Sequence, residues 1–137
     1  MLKTSAALFE NMQRLRELTE HVEPYVKTVS KDKQEFKWES GGGHIETLYK
    51  SKDCSVAIAH VDKQSVHQFH FHEQREIIGI LSGEAVVYLD DKVIEVKKYQ
   101  VIVVEPFQKH QLFYPEDTTV LVMTLPATED FPDVIRE

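Results

Sequence analysis

The sequence contains a single cysteine, Cys54, and this scarcity excludes an internal disulfide bond. It also lacks any apolar run that approaches the roughly twenty residues of a membrane-spanning helix. Glu10 and Asn11 interrupt the first apolar stretch, so the N-terminal region does not have the pattern of a secretory signal. We therefore expect no export, no membrane association and a cytoplasmic location, where thiols stay reduced.

An excess of positive charge is missing as well. The chain has 16 basic and 23 acidic side chains, which gives a formal net charge of -7 at pH 7. This balance argues against nucleic acid or an anionic membrane surface as a partner. At 137 residues the chain is long enough for one domain whose core needs no disulfide bonds.

Residues 1–35 predict a helix followed by a connector. Apolar side chains recur at helical spacing from residue 2 to about residue 22, and Pro24 ends the pattern. A single amphipathic helix cannot bury its stripe alone, so we expect it to pack on the rest of the protein or on a partner subunit. A DNA-reading element is the alternative, but that needs a second helix and a basic face. The stripe consists of Leu8, Met12, Leu15 and Val22, widened by Phe9 and Leu18.

From Phe36 onward the chain consists of short β-rich segments separated by turn residues. Nine such segments with no helical pattern between them indicate an all-β double-sheet jelly roll over residues 36–126. Residues 25–37 fit either an edge strand or a linker, and residues 127–137 form an acidic C-terminal tail. The predicted strands are 44–50, 54–61, 66–72, 76–81, 85–89, 93–96, 101–104, 109–114 and 118–125.

One stretch combines residues that ligate metals. His70 and His72 lie two residues apart in a predicted strand and so share a face, and the Glu76 carboxylate four residues later can fold back beside them. Imidazole nitrogen and carboxylate oxygen suit Fe, Mn, Ni, Zn or Cu. The alternative is that such a pair of histidines is only the half-exposed polar edge of a strand.

The spacing of these residues resembles the first motif of the cupin superfamily, which is His-x-His, three residues, Glu, six residues and Gly. His70, His72, Glu76 and Gly83 match this motif without a gap. The resemblance covers residues 44–125. It implies a double-stranded β-helix barrel, here with an N-terminal α-helix, that carries a metal site inside.

The second cupin motif is matched in part between Tyr99 and His110. Tyr99 and Phe107 stand where the family usually has glycine, whereas His110 stands at the position of the fourth metal ligand. The resemblance therefore implies one divalent transition metal, Fe, Mn, Ni or Zn, held by a set of three histidines and one glutamate. That set is His70, His72, Glu76 and His110.

Strand parity predicts the surroundings of this site. If His70 and His72 face inward, His67 faces the other side of the sheet and is not a ligand. The pocket is then a mostly apolar cup with a polar metal at one end, which is usual for a small-molecule site. Its predicted lining is Gln68, Ile78, Ile80, Leu112 and Tyr114. No catalytic residue can be assigned; Glu105, in the loop before His110, is the nearest candidate acid or base.

Three histidines and one glutamate leave one or two coordination positions open, and an open position distinguishes a catalytic metal site from a structural one. Cupins with a similar ligand set include dioxygenases, decarboxylases, isomerases and lyases that act on small oxygenated molecules. We therefore expect a metal-dependent enzyme of that kind. The alternative is a non-catalytic cupin that binds or senses a small molecule. The unpaired helical stripe and the dimers common among cupins also favour a homodimer.

Overall fold

The structure is a computed structural model, and it describes residues 5–18 and 33–127. The helix α1 spans Ser5–Leu18, inside the predicted range, and the remaining predicted helical residues lie outside the described ones. The described residues contain ten strands: β1 Lys33–Lys37, β2 Gly42–Lys50, β3 Ser55–Val61, β4 Ser65–His70, β5 Arg75–Ser82, β6 Glu84–Leu89, β7 Lys92–Lys97, β8 Val101–Val104, β9 His110–Tyr114 and β10 Thr118–Leu125. No helix among the described residues is long and apolar enough to cross a membrane.

The strands form two antiparallel sheets that enclose one core. The larger sheet has the order β1-β2-β3-β10-β5-β8, and the smaller has the order β4-β9-β6-β7. Consecutive strands often lie in different sheets, as in a jelly roll, so the predicted all-β barrel is confirmed. All nine predicted strands are present. The additional strand β1 lies within residues 25–37, which the sequence assigned to either an edge strand or a linker.

Alternating burial along the strands shows which side chains form the core. In β3 and β10 every second residue is buried, because one face of each strand lies against the opposite sheet. The centre is filled by aliphatic side chains of both sheets, with Ile80 and Val104 from one and Val87 and Leu112 from the other. This packing fixes the strand ends that carry the histidines.

An irregularity in β4 changes the predicted parity. The pairing of β4 with β9 shifts register between His67 and His70, as a β-bulge does. Both histidines are consequently buried on the inner side, at 7% and 1% exposure. His67 therefore does not face the outside, as strict alternation predicted, because the extra residue in the bulge reverses the parity between the two positions.

Candidate metal centre

The four predicted ligands meet where the two sheets approach each other. His70 ends β4 and His110 begins β9, and the two residues are direct neighbours across the smaller sheet. His72 follows two residues after His70, and Glu76 enters from β5 in the larger sheet. A backbone hydrogen bond of 2.8 Å from the Phe107 N–H to the His72 carbonyl ties the loop before His110 to this corner. The site therefore depends on both sheets being assembled.

The side chains converge on one point. One ring nitrogen from each of His70, His72 and His110 lies within 4.8 Å of the others. The Oε1 atom of Glu76 is 3.6 Å from His72 Nε2 and 3.7 Å from His110 Nε2. All four side chains are buried, with exposures between 0% and 5%. A charged carboxylate among buried rings is costly unless a cation or several hydrogen bonds compensate it.

The orientation of the rings is fixed by the backbone. The Nδ1 atom of His70 lies 2.6 Å from the Gln68 carbonyl, and that of His110 lies 2.8 Å from the Gln108 carbonyl. Likewise, His72 Nδ1 lies 2.9 Å from the carbonyl of Gln74. Since a carbonyl oxygen only accepts, each Nδ1 must carry the proton, which leaves the lone pair on Nε2. This is how metal-binding histidines are held in known sites.

The protonation states also suit a cation. Burial and, to a smaller extent, the neighbouring His110 lower the pKa of His70 from 6.5 to about 4, so the ring is neutral at pH 7. Burial alone would raise the pKa of Glu76, but the close approach of the His110 and His72 rings outweighs burial and holds that pKa well below the usual range. The site thus presents a neutral His70 ring and an ionised Glu76 carboxylate.

These residues fit a divalent transition metal. Three Nε2 lone pairs and one carboxylate form the nitrogen and oxygen donor set that Fe, Mn, Ni and Zn accept. The Nε2 atom of His110 is fully buried and forms no hydrogen bond within the part of the chain that the structure describes. A buried ring nitrogen without a hydrogen bond is rare, and a metal would satisfy it.

A cavity of about 50 Å³ adjoins the site. Glu76 forms one wall, together with Ile78, Leu112 and Tyr114, which the sequence placed in the pocket. Ile80 is buried at 1% exposure but does not line the cavity. The remaining lining residues are Phe36, Trp38, Ile45, Ala59, Val61, His67, Val120 and Val122. The volume is several times that of one water site but far below that of a drug-sized pocket.

The structure places two polar residues, Gln68 and His67, differently from the prediction. Gln68 does not line the cavity; its Oε1 accepts a hydrogen bond of 3.4 Å from the Glu39 backbone N–H. His67 takes the inner position instead, because the bulge in β4 reverses the alternation. Its ring lies between Trp38, with centroids 4.5 Å apart and planes 4° apart, and His70, with centroids 4.0 Å apart. Periodicity could not reveal this, although Trp38, the only tryptophan, was a visible candidate.

The candidate acid or base Glu105 lies at the surface. Its Oε2 atom accepts a hydrogen bond of 2.9 Å from Arg75 Nε, and the two side chains are 54% and 48% exposed. Glu105 is therefore engaged in a solvent-exposed ion pair outside the cavity lining.

The two turns of the second motif keep the backbone geometry for which the family usually uses glycine. Tyr99 and Phe107 have φ angles of 66° and 63°, in the left-handed region that favours glycine. The aromatic side chains at these positions are mostly exposed, at 79% and 62%. The departures from the motif therefore change the residues but not the turns, and His110 still reaches the site.

A family model for the cupin domain matches residues 57–126, just over half of the chain. The chain therefore belongs to the cupin family, as its two motifs predicted. No curated protein sequence matches it.

Several solved structures share the fold. An RmlC-like cupin from Shewanella frigidimarina is 18% identical over 80% of this chain and 96% of that chain, with a TM-score of 0.68. KdgF from Halomonas is 19% identical over 72% and 89%, with a TM-score of 0.65. Pac13 from Streptomyces, described as a nucleoside dehydratase, is 17% identical over 78% and 86%, with a TM-score of 0.62. At these identities the likeness establishes the fold alone.

Proposed function

We propose that this protein is a metal-dependent cupin enzyme acting on a small oxygenated molecule. His70, His72, Glu76 and His110 hold one divalent metal, Fe, Mn, Ni or Zn. The observation that carries the proposal is the set of three Nδ1 hydrogen bonds to backbone carbonyls, which leave three Nε2 lone pairs converging beside an ionised Glu76. Partly exposed polar strand edges, the alternative considered for His-x-His, do not account for burial below 6%.

A bound metal supplies Lewis-acid chemistry and holds substrate oxygens in the coordination positions that the protein leaves open. The protein's own residues contribute orientation and exclusion of water. The stack of Trp38, His67 and His70 fixes one side of the site, and apolar side chains such as Ile78 and Val122 line the adjoining cavity. Electrostatic interactions between the site and a charged ligand are strong in such surroundings because the local dielectric constant is low.

The size of the cavity limits the ligand. A space of about 50 Å³ accepts only a few non-hydrogen atoms, such as a carboxylate or a hydroxy-ketone fragment. A larger substrate would place only its reacting end there. Pac13 is described as a nucleoside dehydratase, and two of its structures contain uridine. A nucleoside is larger than this cavity and would have to extend beyond it.

A non-catalytic small-molecule-binding or sensing protein is the second candidate. The observation that favours it is the position of Glu105, which pairs with Arg75 at the surface. Among the described residues that line the cavity, the only carboxylate is Glu76, which faces the histidines. If the protein is a binder, small acids or sugars should raise its melting temperature by mass action without being converted to product.

The metal assignment is tested by elemental analysis of the purified protein and of two variants. His72→Ala removes one of the converging nitrogen atoms and should abolish metal loading while the barrel still folds. His44→Ala is the matched control, because His44 lies on the outer side of β2, stacked on His60 at 4.6 Å, and should keep full loading. Near-stoichiometric metal in His72→Ala would contradict the assignment.

We also propose a cytoplasmic homodimer. The single cysteine suits a reducing compartment. Helix α1 exposes Leu8, Phe9, Met12 and Leu15 at 55% to 62%, which is a surface that a partner subunit would cover. Small molecules are the proposed partners; nucleic acid and membranes are not expected, given the net charge of -7.

A further inference from the structure

The outer side of the larger sheet carries two apolar rows. Cross-strand pairing places one outward-facing residue from each of β3, β10, β5 and β8 side by side in each row. The side chains of the first three strands are half-buried, whereas those of β8 are 59% and 43% exposed. One row is Val56, Met123, Ile77 and Val103, and the other is Ile58, Leu121, Gly79 and Val101. We call these eight residues the outer rows.

This composition is unusual for the solvent side of an antiparallel sheet, where polar residues normally alternate with the core residues. The outer rows contain no charged or hydrogen-bonding side chain. The outer side of the smaller sheet is different, because its cross-strand neighbours include Glu95 beside Val86 and Gln111 beside Tyr88. A contiguous apolar patch on one sheet is characteristic of an interaction surface.

Gly79 lies in the middle of the outer rows, and nothing inside the protomer requires a glycine there. Its φ angle is not positive, and an added Cβ would lie at ordinary contact distances, 3.6 Å from Val101 Cγ2 and 4.0 Å from the Leu121 carbonyl oxygen. Glycine within a strand weakens it and often marks the close approach of another backbone or ligand. The glycine leaves a gap beside Leu121, its direct cross-strand neighbour.

We propose that the outer rows form the interface with a second copy of this chain. A gap next to a protruding side chain can pair with a copy of itself. A two-fold axis between β10 and β5 places Leu121 of each protomer over Gly79 of the other. This arrangement favours a second copy over an unrelated partner. The inference rests on the proposed homodimer but adds its location, and the two can fail separately.

The outer rows cover about a third of the area that such an interface buries on each partner. Four strands about 4.8 Å apart and two rows about 6.7 Å apart give a flat apolar area of roughly 250 Å² per protomer. A stable interface buries about 800 Å² per partner, with an apolar centre and a polar rim. The outer rows supply the centre, and His44, His60 and Thr119 lie along one border as a polar rim.

The experiment compares two matched substitutions in the full-length protein by sedimentation equilibrium. Val101→Glu places a charge in the outer rows, on the edge strand of the larger sheet. Val93→Glu makes the same change at a valine that is 70% exposed on β7, the edge strand of the smaller sheet. We expect wild type and Val93→Glu to be dimers and Val101→Glu to dissociate at least a hundredfold more readily. Circular dichroism should show all three folded.

A third variant tests the gap itself. Gly79→Ala fits the protomer, so its folding should be unaffected, but it fills both gaps of the two-fold contact and should raise the dimer dissociation constant about tenfold or more. A monomeric wild type would overturn both the homodimer and this surface. A dimer that Val101→Glu and Gly79→Ala leave as tight as wild type would overturn the surface alone.

Discussion

The buried His67 makes the metal-free protein sensitive to mild acid. Burial, with a smaller contribution from the neighbouring His70, lowers the pKa of His67 from 6.5 to about 3. As the pH falls through 6.5, the unfolded chain takes up a proton that the folded protein does not. The contribution of His67 to stability is therefore complete above pH 6.5 and is lost progressively between that pH and about 3.

The size of this effect follows from linkage. Each pH unit below 6.5 lowers the free energy of unfolding by about 1.4 kcal/mol, so the 1.5 units down to pH 5 correspond to about 2 kcal/mol from His67 alone. His70, whose pKa is lowered to about 4, contributes a similar amount. Glu76 adds little between pH 7 and pH 5, because the stability that its lowered pKa contributes is lost only as the unfolded carboxyl takes up a proton near pH 4.5 and below.

His67→Phe isolates the His67 contribution. A phenyl ring preserves the stack between Trp38 and His70 but cannot take up a proton. Urea unfolding of the chelator-treated proteins, followed by fluorescence of the single tryptophan that stacks on residue 67, should show wild type losing about 2 kcal/mol more than His67→Phe between pH 7 and pH 5. Equal losses in the two proteins would refute the reasoning.

Three further predictions follow from the same structure. Chelator should lower the melting temperature at pH 7, because a metal that binds only the folded protein stabilises it by mass action; differential scanning calorimetry with and without chelator measures the difference. Gly83→Ala should lower the free energy of unfolding, measured in urea, by at least about 1 kcal/mol. Gly83 has a φ of +85°, and a Cβ there would lie 2.7 Å from the Asp117 carbonyl oxygen. Ile80→Ala, at a core position 1% exposed, should cost about 2–5 kcal/mol in the same assay; a loss below about 1 kcal/mol would contradict the packing described.

Much of the fold followed from local pattern. Turn residues and two-residue periodicity located nine strands because each one buries a single face. The motif spacing identified His70, His72, Glu76 and His110, and the structure brings all four together. Their convergence depends on strand pairing, which places His110 opposite His70. Sequence alone cannot show that pairing, and the family resemblance supplied it.

The errors came from a single inserted residue and from contacts distant in sequence. Alternation assigned Gln68 inward and His67 outward, and the bulge in β4 reversed this assignment for His67. A bulge leaves no clear mark in one sequence. Trp38 could not be placed in the cavity because its stacking on His67 joins residues far apart in the chain. The role of Gly79 likewise emerged only when its cross-strand neighbours were known.

The most direct test of the central claim is the anomalous X-ray diffraction of crystals of the metal-loaded protein. The geometry predicts one anomalous peak within bonding distance, roughly 2.0–2.3 Å, of the Nε2 atoms of His70, His72 and His110 and of a Glu76 oxygen. The Nδ1 atoms should keep their hydrogen bonds to the backbone. A peak at any other group of residues, or an ion bound through Nδ1, would contradict the assignment of this site.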